Sequence, residues 1–224
     1  MHTLLDSLSK CDNNRTRGKA LEVIRLICRN HEGNRDLFEP GGMQTLAQLL
    51  DSQKDDATLV SRILRLAHRV CTKAENNKVQ VIRDIGPDLI IQYLSSNNPG
   101  ITRHTCLLMR GITNPDDLRR EISCALENGR ALVSRGAVPL LVGIARGALQ
   151  AATASESASE DETDGTKHTD VASAAFLALR QLAITSESVN LISAHGMLLI
   201  VFVYLLILCV DTRWVGFAEI NARQ

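Results

Sequence analysis

The sequence predicts an all-α protein, a solenoid made of repeated groups of helices. Aromatic residues make up only 3% of the 224 residues and there are five prolines, which favours helices over a β-sandwich or barrel. Apolar residues recur with the i, i+3, i+4, i+7 spacing of one helical face. A glycine-centred segment also recurs four times along the chain, and such self-similarity is the mark of a repeat architecture.

The repeat is aligned on four glycines whose spacing lengthens along the chain. The first spacing matches a known class of helical repeats with a period of about 40–47 residues, and the two longer ones require insertions. An apolar residue stands four positions before and four positions after each glycine. The glycines are Gly42, Gly86, Gly136 and Gly196, preceded by Phe38, Ile82, Leu132 and Ile192 and followed by Leu46, Ile90, Leu140 and Ile200.

Each repeat is predicted to hold a short helix before the glycine, a second helix after it and a longer third helix. The second helices are predicted at Met43–Leu50, Leu89–Leu94 and Val138–Ile144. The third helices are predicted at Leu21–Cys28, Leu59–Val70, Thr102–Ile112 and Val171–Ala183. Every such unit buries its apolar face only against its neighbours.

The chain is predicted to divide into five segments. Residues 1–15 form a partial N-terminal helix and residues 16–153 the repeats. Residues 154–170 form an acidic, flexible insertion whose serines resemble a substrate of acidophilic kinases. Residues 171–210 form a last, truncated repeat with a very apolar helix, and the tail 211–224 matches no repeat.

Composition and motifs argue against catalysis and against nucleic-acid binding. The 25 basic and 25 acidic residues balance, whereas a nucleic-acid binder normally has a basic excess. The six cysteines form no C-x-x-C pair and no zinc-ligand pattern with histidine, so we expect reduced core thiols in the cytosol or nucleus. No catalytic triad or nucleotide-binding loop is found. We therefore expect no enzyme activity, cofactor, metal or small-molecule substrate.

The helix–Gly–helix–long helix plan resembles armadillo repeats over roughly residues 16–205. The run from Met109 to Arg119, followed by Ser123-Cys-Ala and Ala131-Leu-Val, is similar to a segment of the armadillo repeat-containing protein 6 family, with identities at Arg110, Thr113, Asp116, Asp117 and Arg119. Residues 123–130 lack the histidines of some relatives, and the similarity ends after about Leu206. The resemblance implies a right-handed superhelix of about four repeats and an intracellular scaffold or adaptor. The Asp116–Arg120 cluster is interpreted as a helix cap or as a binding loop.

The resemblance also implies where a partner would bind, because third helices line the inner groove of armadillo arrays. The residues predicted to face this groove form a mildly basic strip suited to an extended or acidic protein segment. The alternative is that they are ordinary solvated helix residues. The Trp ladder of nuclear-import receptors is absent, since no third helix contains tryptophan. The predicted strip consists of Arg65, Arg69, Arg103, Arg110, Arg180 and Gln181.

The C-terminal region contains fourteen almost wholly apolar residues, Met197–Val210. A predominantly apolar stretch of twenty residues runs from Leu191 to Val210. Three interpretations are open: the second helix of a truncated repeat, a membrane tail anchor, or a helix buried in an oligomer. The positions of Leu191, Ile192, Gly196 and Ile200 in the repeat favour the first. The leading prediction is a cytoplasmic or nuclear scaffold, and the alternative is a membrane-anchored adaptor held by Leu191–Val210.

Overall fold

The computed structural model describes residues 7–8, 10–11, 13–30, 41–71, 74–114, 122–156 and 162–183. All regular secondary structure within these ranges is helical, so the predicted all-α class is confirmed. The Asp116–Arg120 cluster and the segments 191–210 and 211–224 lie outside the described residues, as do Phe38, Ile192 and Ile200.

Where the connection lies within the described ranges, successive helices are joined by at most four residues. Helix α4 continues directly into a π-helical turn at Val81–Ile85. In chain order the helices are α1 (Asn14–Asn30), α2 (Gly42–Ser52), α3 (Ala57–Cys71), α4 (Glu75–Gln80), α5 (Pro87–Leu94), α6 (Pro99–Thr113), α7 (Ile122–Val133), α8 (Ala137–Glu156) and α9 (Glu162–Leu182).

The helices α1, α3, α6 and α9, which contain the four predicted third helices, pack side by side in that order. Contacts near both ends show that α3, α6 and α9 run parallel. Gly100 and Gly111, at the start and end of α6, approach Ser61 and His68 of α3 in the same order. Arg103 and Thr113 of α6 meet Asp170 and Gln181 of α9. The third helices therefore form one layer.

Three of these third helices begin at an Asn or Asp that caps the helix. The Oδ1 atom of Asn13 accepts the amides of Arg15 and Thr16. Asp56 accepts the Leu59 amide at 3.0 Å, and Asn98 accepts the amides of residues 100 and 101. Such caps satisfy amides that have no partner inside the helix. The caps recur at nearly equal intervals along the chain.

The C-terminal end of α6 is held by side chains from three other elements. A similar contact exists at the end of α3, where the side-chain amide of Asn77 donates to the carbonyl of Val70 at 2.9 Å. At α6, three successive carbonyls are bound, each by a different helix. Asn128 of α7, Gln181 of α9 and Lys78 of α4 donate to Ile112, Thr113 and Asn114 at 2.9, 3.1 and 2.8 Å.

The glycine alignment is partly confirmed. Gly86 and Gly136 have φ of 82° and 83°, and a helix begins at the next residue in both cases. At the first site the positive φ, 91°, belongs to Gly41, while Gly42 is already the first residue of α2. The alignment on Gly42 is therefore wrong by one residue. Either glycine of the pair could supply the turn, since neither carries a Cβ.

The predicted apolar faces form the core. Every apolar residue predicted on the third helix Leu59–Val70 is at most 2% exposed. Leu46, Ile90 and Leu132 are fully buried, while Ile82 and Leu140 are partly buried against the core. Cys28, Cys71 and Cys106 are buried and form no disulfide, as predicted, whereas Cys11 is only half-buried. Cys124 and Cys209 lie outside the residues whose side chains are described.

The acidic insertion differs from its predicted extent. Helix α8 continues through Glu156 and α9 begins at Glu162, so only residues 157–161 of the expected flexible segment 154–170 lie between described helices. Polar residues without apolar spacing can still be helical when they extend a helix that is anchored elsewhere by packing. Among the residues of α9 whose side chains are described, Thr169 and Asp170 are exposed and Val171 is the first that is buried.

Candidate partner-binding face

Four of the six residues predicted to bind a partner lie together where α3 packs against α6. We call Arg65 and Arg69 of α3 and Arg103 and Arg110 of α6 the arginine face. Arg65 and Arg110 are exposed, and Arg69 and Arg103 are half-buried. All four lie close enough to act electrostatically on one or both of the two histidines between the helices.

The two histidines, His68 of α3 and His104 of α6, form the floor of the arginine face. Burial lowers the pKa of His68 to about 4, and Arg110, His104, Arg69 and Arg103 add to the effect. Burial likewise lowers the pKa of His104 to about 4, helped by Arg103 and Arg65. Both imidazoles are therefore neutral near pH 7, because a charged imidazole there would be shielded from water and would lie beside existing cations.

A glycine allows this close approach of the two helices. A methyl group at Gly111 of α6 would lie 3.1 Å from Cδ2 of His68, which is tighter than an ordinary van der Waals contact. The neighbouring imidazole of α6, that of His104, has a buried Nδ1 with no hydrogen-bond partner among the described residues. The seam between α3 and α6 is thus tightly packed but incompletely hydrogen-bonded.

Acidic residues only partly balance the arginine face. Arg103 pairs with Asp170 of α9 at 3.3 Å, and the two side chains are 38% and 60% exposed. On α1, the hydrogen bond from Arg25 lowers the pKa of Glu22, with further lowering by Arg65 and then Arg62. Arg65 and Arg110 make no side-chain ion pair or hydrogen bond with any residue that the structure describes. Among the described residues this surface therefore has an excess of cations, and Arg65 and Arg110 are its two exposed arginines.

The other two predicted residues are placed differently. Gln181 is half-buried and its side-chain amide is bound to the Thr113 carbonyl, so its observed contact stabilises the end of α6. Arg180 is exposed on α9 and is not among the groups that act on either histidine. The structure therefore brings together Arg65, Arg69, Arg103 and Arg110, and leaves Arg180 and Gln181 outside this cluster.

Sequence reasoning missed several polar residues of this region. His68 and His104 are not part of the strip predicted from the sequence, and neither is Arg62 of α3, although it stands one helical turn before Arg65. The i, i+3 spacing of Arg62 and Arg65 could have indicated a shared face. The histidines gave no such signal, because their meeting depends on the register between two helices.

A metal centre needs clustered ligands, and a membrane span needs a long apolar helix. No group of three or more His, Cys, Asp or Glu residues in the part of the chain that the structure describes is arranged to hold a metal ion. Within the same ranges, no single helix is long and apolar enough to cross a membrane. One pair of segments, Ala125–Val133 and Ala137–Ala151, would meet the length and composition needed, but it is bent by 77°.

Comparison with known proteins gives a likeness of fold alone. No family model matches the chain, and no curated protein matches it. Among solved structures it is similar to the crystal structure of an engineered protein from the Northeast Structural Genomics Consortium. The TM-score is 0.51 at 16% sequence identity, over 86% of this chain and 85% of that one. At this identity the likeness supports the helical fold and carries nothing about activity.

Proposed function

We propose that this chain is a non-catalytic scaffold of armadillo type that binds an extended, acidic protein segment across its layer of third helices. The arginine face is the contact surface in this proposal. Carboxylates of the partner pair with the exposed guanidinium groups of Arg65 and Arg110, which have planar, multiply donating geometry. The partner crosses α3 and α6 and so meets cations from two neighbouring repeats.

The observation that carries the proposal is the concentration of cations at the α3–α6 seam. Four arginines surround two neutral histidines, and Asp170 pairs with Arg103. The guanidinium groups of Arg65 and Arg110 have no carboxylate partner among the described residues. Clustered like charges repel each other, so an acidic partner relieves repulsion as well as adding contacts. Such complementarity raises association rates and selects acidic partners.

Two features support the armadillo assignment within this proposal. The third helices pack side by side, with α3, α6 and α9 parallel, and the caps Asn13, Asp56 and Asn98 recur at nearly equal intervals. Both intervals fall within the armadillo and HEAT period of about 40–47 residues. Equivalent asparagines, Asn77 and Asn128, also bind the last turns of two successive third helices.

The proposal is tested by reversing two exposed arginines of the face. We expect Arg65→Glu combined with Arg110→Glu to weaken binding of a fluorescein-labelled glutamate–glycine peptide by about tenfold or more, since repulsion replaces two charged contacts. Fluorescence anisotropy at low and high salt provides the measurement. Arg130→Glu on α7, which is exposed and is not among the groups that act on either histidine, is the control. An equal loss of peptide affinity in the double variant and in the control, or no loss in either, would contradict the proposal.

A second candidate function, a membrane-anchored adaptor, rests on the apolar sequence of Leu191–Val210. A window of about twenty apolar residues has the length of a spanning helix. Carbonate extraction compares the full chain with a version that ends at His195. If only the full chain stays in the membrane pellet, the result supports an anchor. If both proteins are extracted, this candidate function is removed.

A further inference from the structure

A second basic surface lies between α1 and α3, beside the start of each helix. It is a cleft of about 370 Å³ whose lining includes Arg15 and Lys19 of α1 and Arg62 of α3. This volume falls in the range of ordinary ligand sites. Asp56 is the carboxylate of the lining, so three cations face one acid. We call this the basic cleft.

Asp56 offsets only one of the three positive charges, and its two oxygens accept hydrogen bonds from neutral donors. Oδ1 accepts the Leu59 amide at 3.0 Å and so caps α3. Oδ2 accepts the side-chain amide of Asn14 at 3.1 Å, which ties α3 to α1. The side chains of Arg15, Lys19 and Arg62 make no ion pair or hydrogen bond with any described residue. The lining of the basic cleft therefore carries a net positive charge.

A glycine opens the space that the Arg62 guanidinium occupies. A Cβ at Gly18 of α1 would collide with Nη1 of Arg62 and lie 3.4 Å from its Cζ. Gly18 is buried, and it also lines the cleft. The absence of a side chain at residue 18 thus lets Arg62 lie against α1, where it joins Arg15 and Lys19.

The basic cleft is continuous with the arginine face. Arg62 and Arg65 are three residues apart on α3, so their side chains are neighbours on one helical surface. Both also lower the pKa of Glu22 on α1, which places them on the same side of α3. A segment that crosses the arginine face therefore reaches the cleft within one turn of α3.

We propose that the basic cleft binds a phosphate monoester, carried as a phosphorylated serine or threonine on the acidic segment that binds the arginine face. A phosphate monoester carries about −1.5 to −2 charge at neutral pH and offers three acceptor oxygens. This matches a lining of three cations and one acid, whereas a single carboxylate would leave a cation unpaired. Arg15 and Arg62 supply planar donors and Lys19 a third cation. The inference rests on the proposed function, because the same partner carries the phosphate.

The test uses two peptides with the same glutamate–glycine sequence, one with serine and one with phosphoserine at a single position. Binding to the full chain is measured by fluorescence anisotropy at constant ionic strength. We expect the phosphoserine peptide to bind about tenfold more tightly, since charge-assisted hydrogen bonds are the strong ones. The phosphorylated-to-unphosphorylated affinity ratio is the readout.

Two variants and a control locate the phosphate. Arg62→Gln removes one cation, and Gly18→Ala keeps every charge but displaces the Arg62 guanidinium. Both are expected to reduce the ratio to about two or less, and because the ratio compares two peptides on the same variant, a general change in affinity for acidic peptides cancels. Gly18→Ala should not lower the urea midpoint, because alanine is the better helix residue and the displaced group is the end of a flexible side chain. Arg130→Gln, an exposed arginine of α7, should leave the ratio intact.

The remaining outcomes separate this inference from the proposed function. Equal binding of both peptides overturns the phosphate site and leaves the acidic-segment scaffold standing. Binding of neither peptide overturns both. A high ratio that persists in Arg62→Gln and Gly18→Ala places the phosphate elsewhere and overturns the assignment to the basic cleft. Displacement of the phosphoserine peptide by inorganic phosphate at equal affinity identifies free phosphate as the ligand and overturns a partner-borne group.

Discussion

Polar groups lie deep between helices at the C-terminus of α6 and at its seam with α3, but their surroundings differ. At the C-terminus of α6, Lys78 and Asn128 are 1% and 5% exposed, and each donates to a backbone carbonyl. At the α3–α6 seam, His104 has a buried nitrogen with no hydrogen-bond partner among the described residues. Arg103 and Arg65 act on this imidazole as cations.

This difference separates structural polar groups from those available for binding. A buried donor that meets a carbonyl completes the helix end and stabilises the fold. A cluster of cations with few acids has an unfavourable interaction energy that a ligand can relieve. The end of α6 is therefore expected to respond to substitution mainly in stability, and the arginine face mainly in binding.

The largest effect of a single substitution is expected at the end of α6. Lys78→Ala should lower the free energy of unfolding by about 2–4 kcal/mol, because it removes a buried side chain and leaves the Asn114 carbonyl without its 2.8 Å donor. Urea denaturation followed by circular dichroism provides the measurement. Lys54→Ala, in the exposed turn after α2, should change stability by less than about 0.5 kcal/mol. A similar change in the free energy of unfolding for the two variants would contradict the structural role of Lys78.

A pH dependence of stability is expected at the α3–α6 seam. Since the folded pKa of His68 and His104 is about 4, below the ordinary value of 6.5, the unfolded chain binds more protons between these limits. Stability should therefore fall as pH falls from about 6.5 to about 4, because protonation of both imidazoles favours the unfolded chain.

The histidine prediction is checked by urea denaturation at several pH values. The double variant His68→Gln and His104→Gln should have a flatter pH profile than the natural chain in this window. Identical slopes would show that the two imidazoles are not kept neutral by the fold.

The smallest effect is expected where the arginine face meets α9. Asp170→Asn releases Arg103 from its 3.3 Å ion pair and should strengthen binding of the glutamate–glycine peptide by roughly two- to fivefold. Stability should change by less than about 1 kcal/mol, as usual for an exposed ion pair. Asp88→Asn is the control. It removes the acid of another exposed ion pair, which joins Asp88 of α5 to Arg135 in the turn before α8. An equal gain in this control would indicate a general effect of net charge.

The sequence was sufficient for features that depend on neighbouring residues. Apolar spacing identified the third helices and their buried faces, such as that of Leu59–Val70. Once these helices are known to pack side by side, arginines on their polar faces come close together. The expected strip that includes Arg65, Arg69, Arg103 and Arg110 came from the resemblance to armadillo repeats, and helical periodicity places the two arginines of each helix on one face.

Other features depend on contacts between distant residues and left no local signal. Gln181 was expected to face a partner, but its bond joins it to Thr113, 68 residues earlier. Lys78 reaches Asn114, 36 residues later, and nothing in the sequence around it indicates burial. The basic cleft depends on the alignment of Gly18 with Arg62 across two helices. Register between helices is set by packing of whole faces, which periodicity alone does not specify.

The recurring caps make the molecule modular in a way that evolution or engineering can use. Asn13, Asp56 and Asn98 perform the same task at nearly equal intervals. Excising residues 56–97 would place Asn98 directly after the turn that now leads into Asp56, with a cap and a long helix following as before. A substantially shorter or longer excision would leave a helix without its cap. Lengths of tolerated deletions and duplications should therefore cluster near this interval, as in arrays whose stability is a sum over neighbouring units.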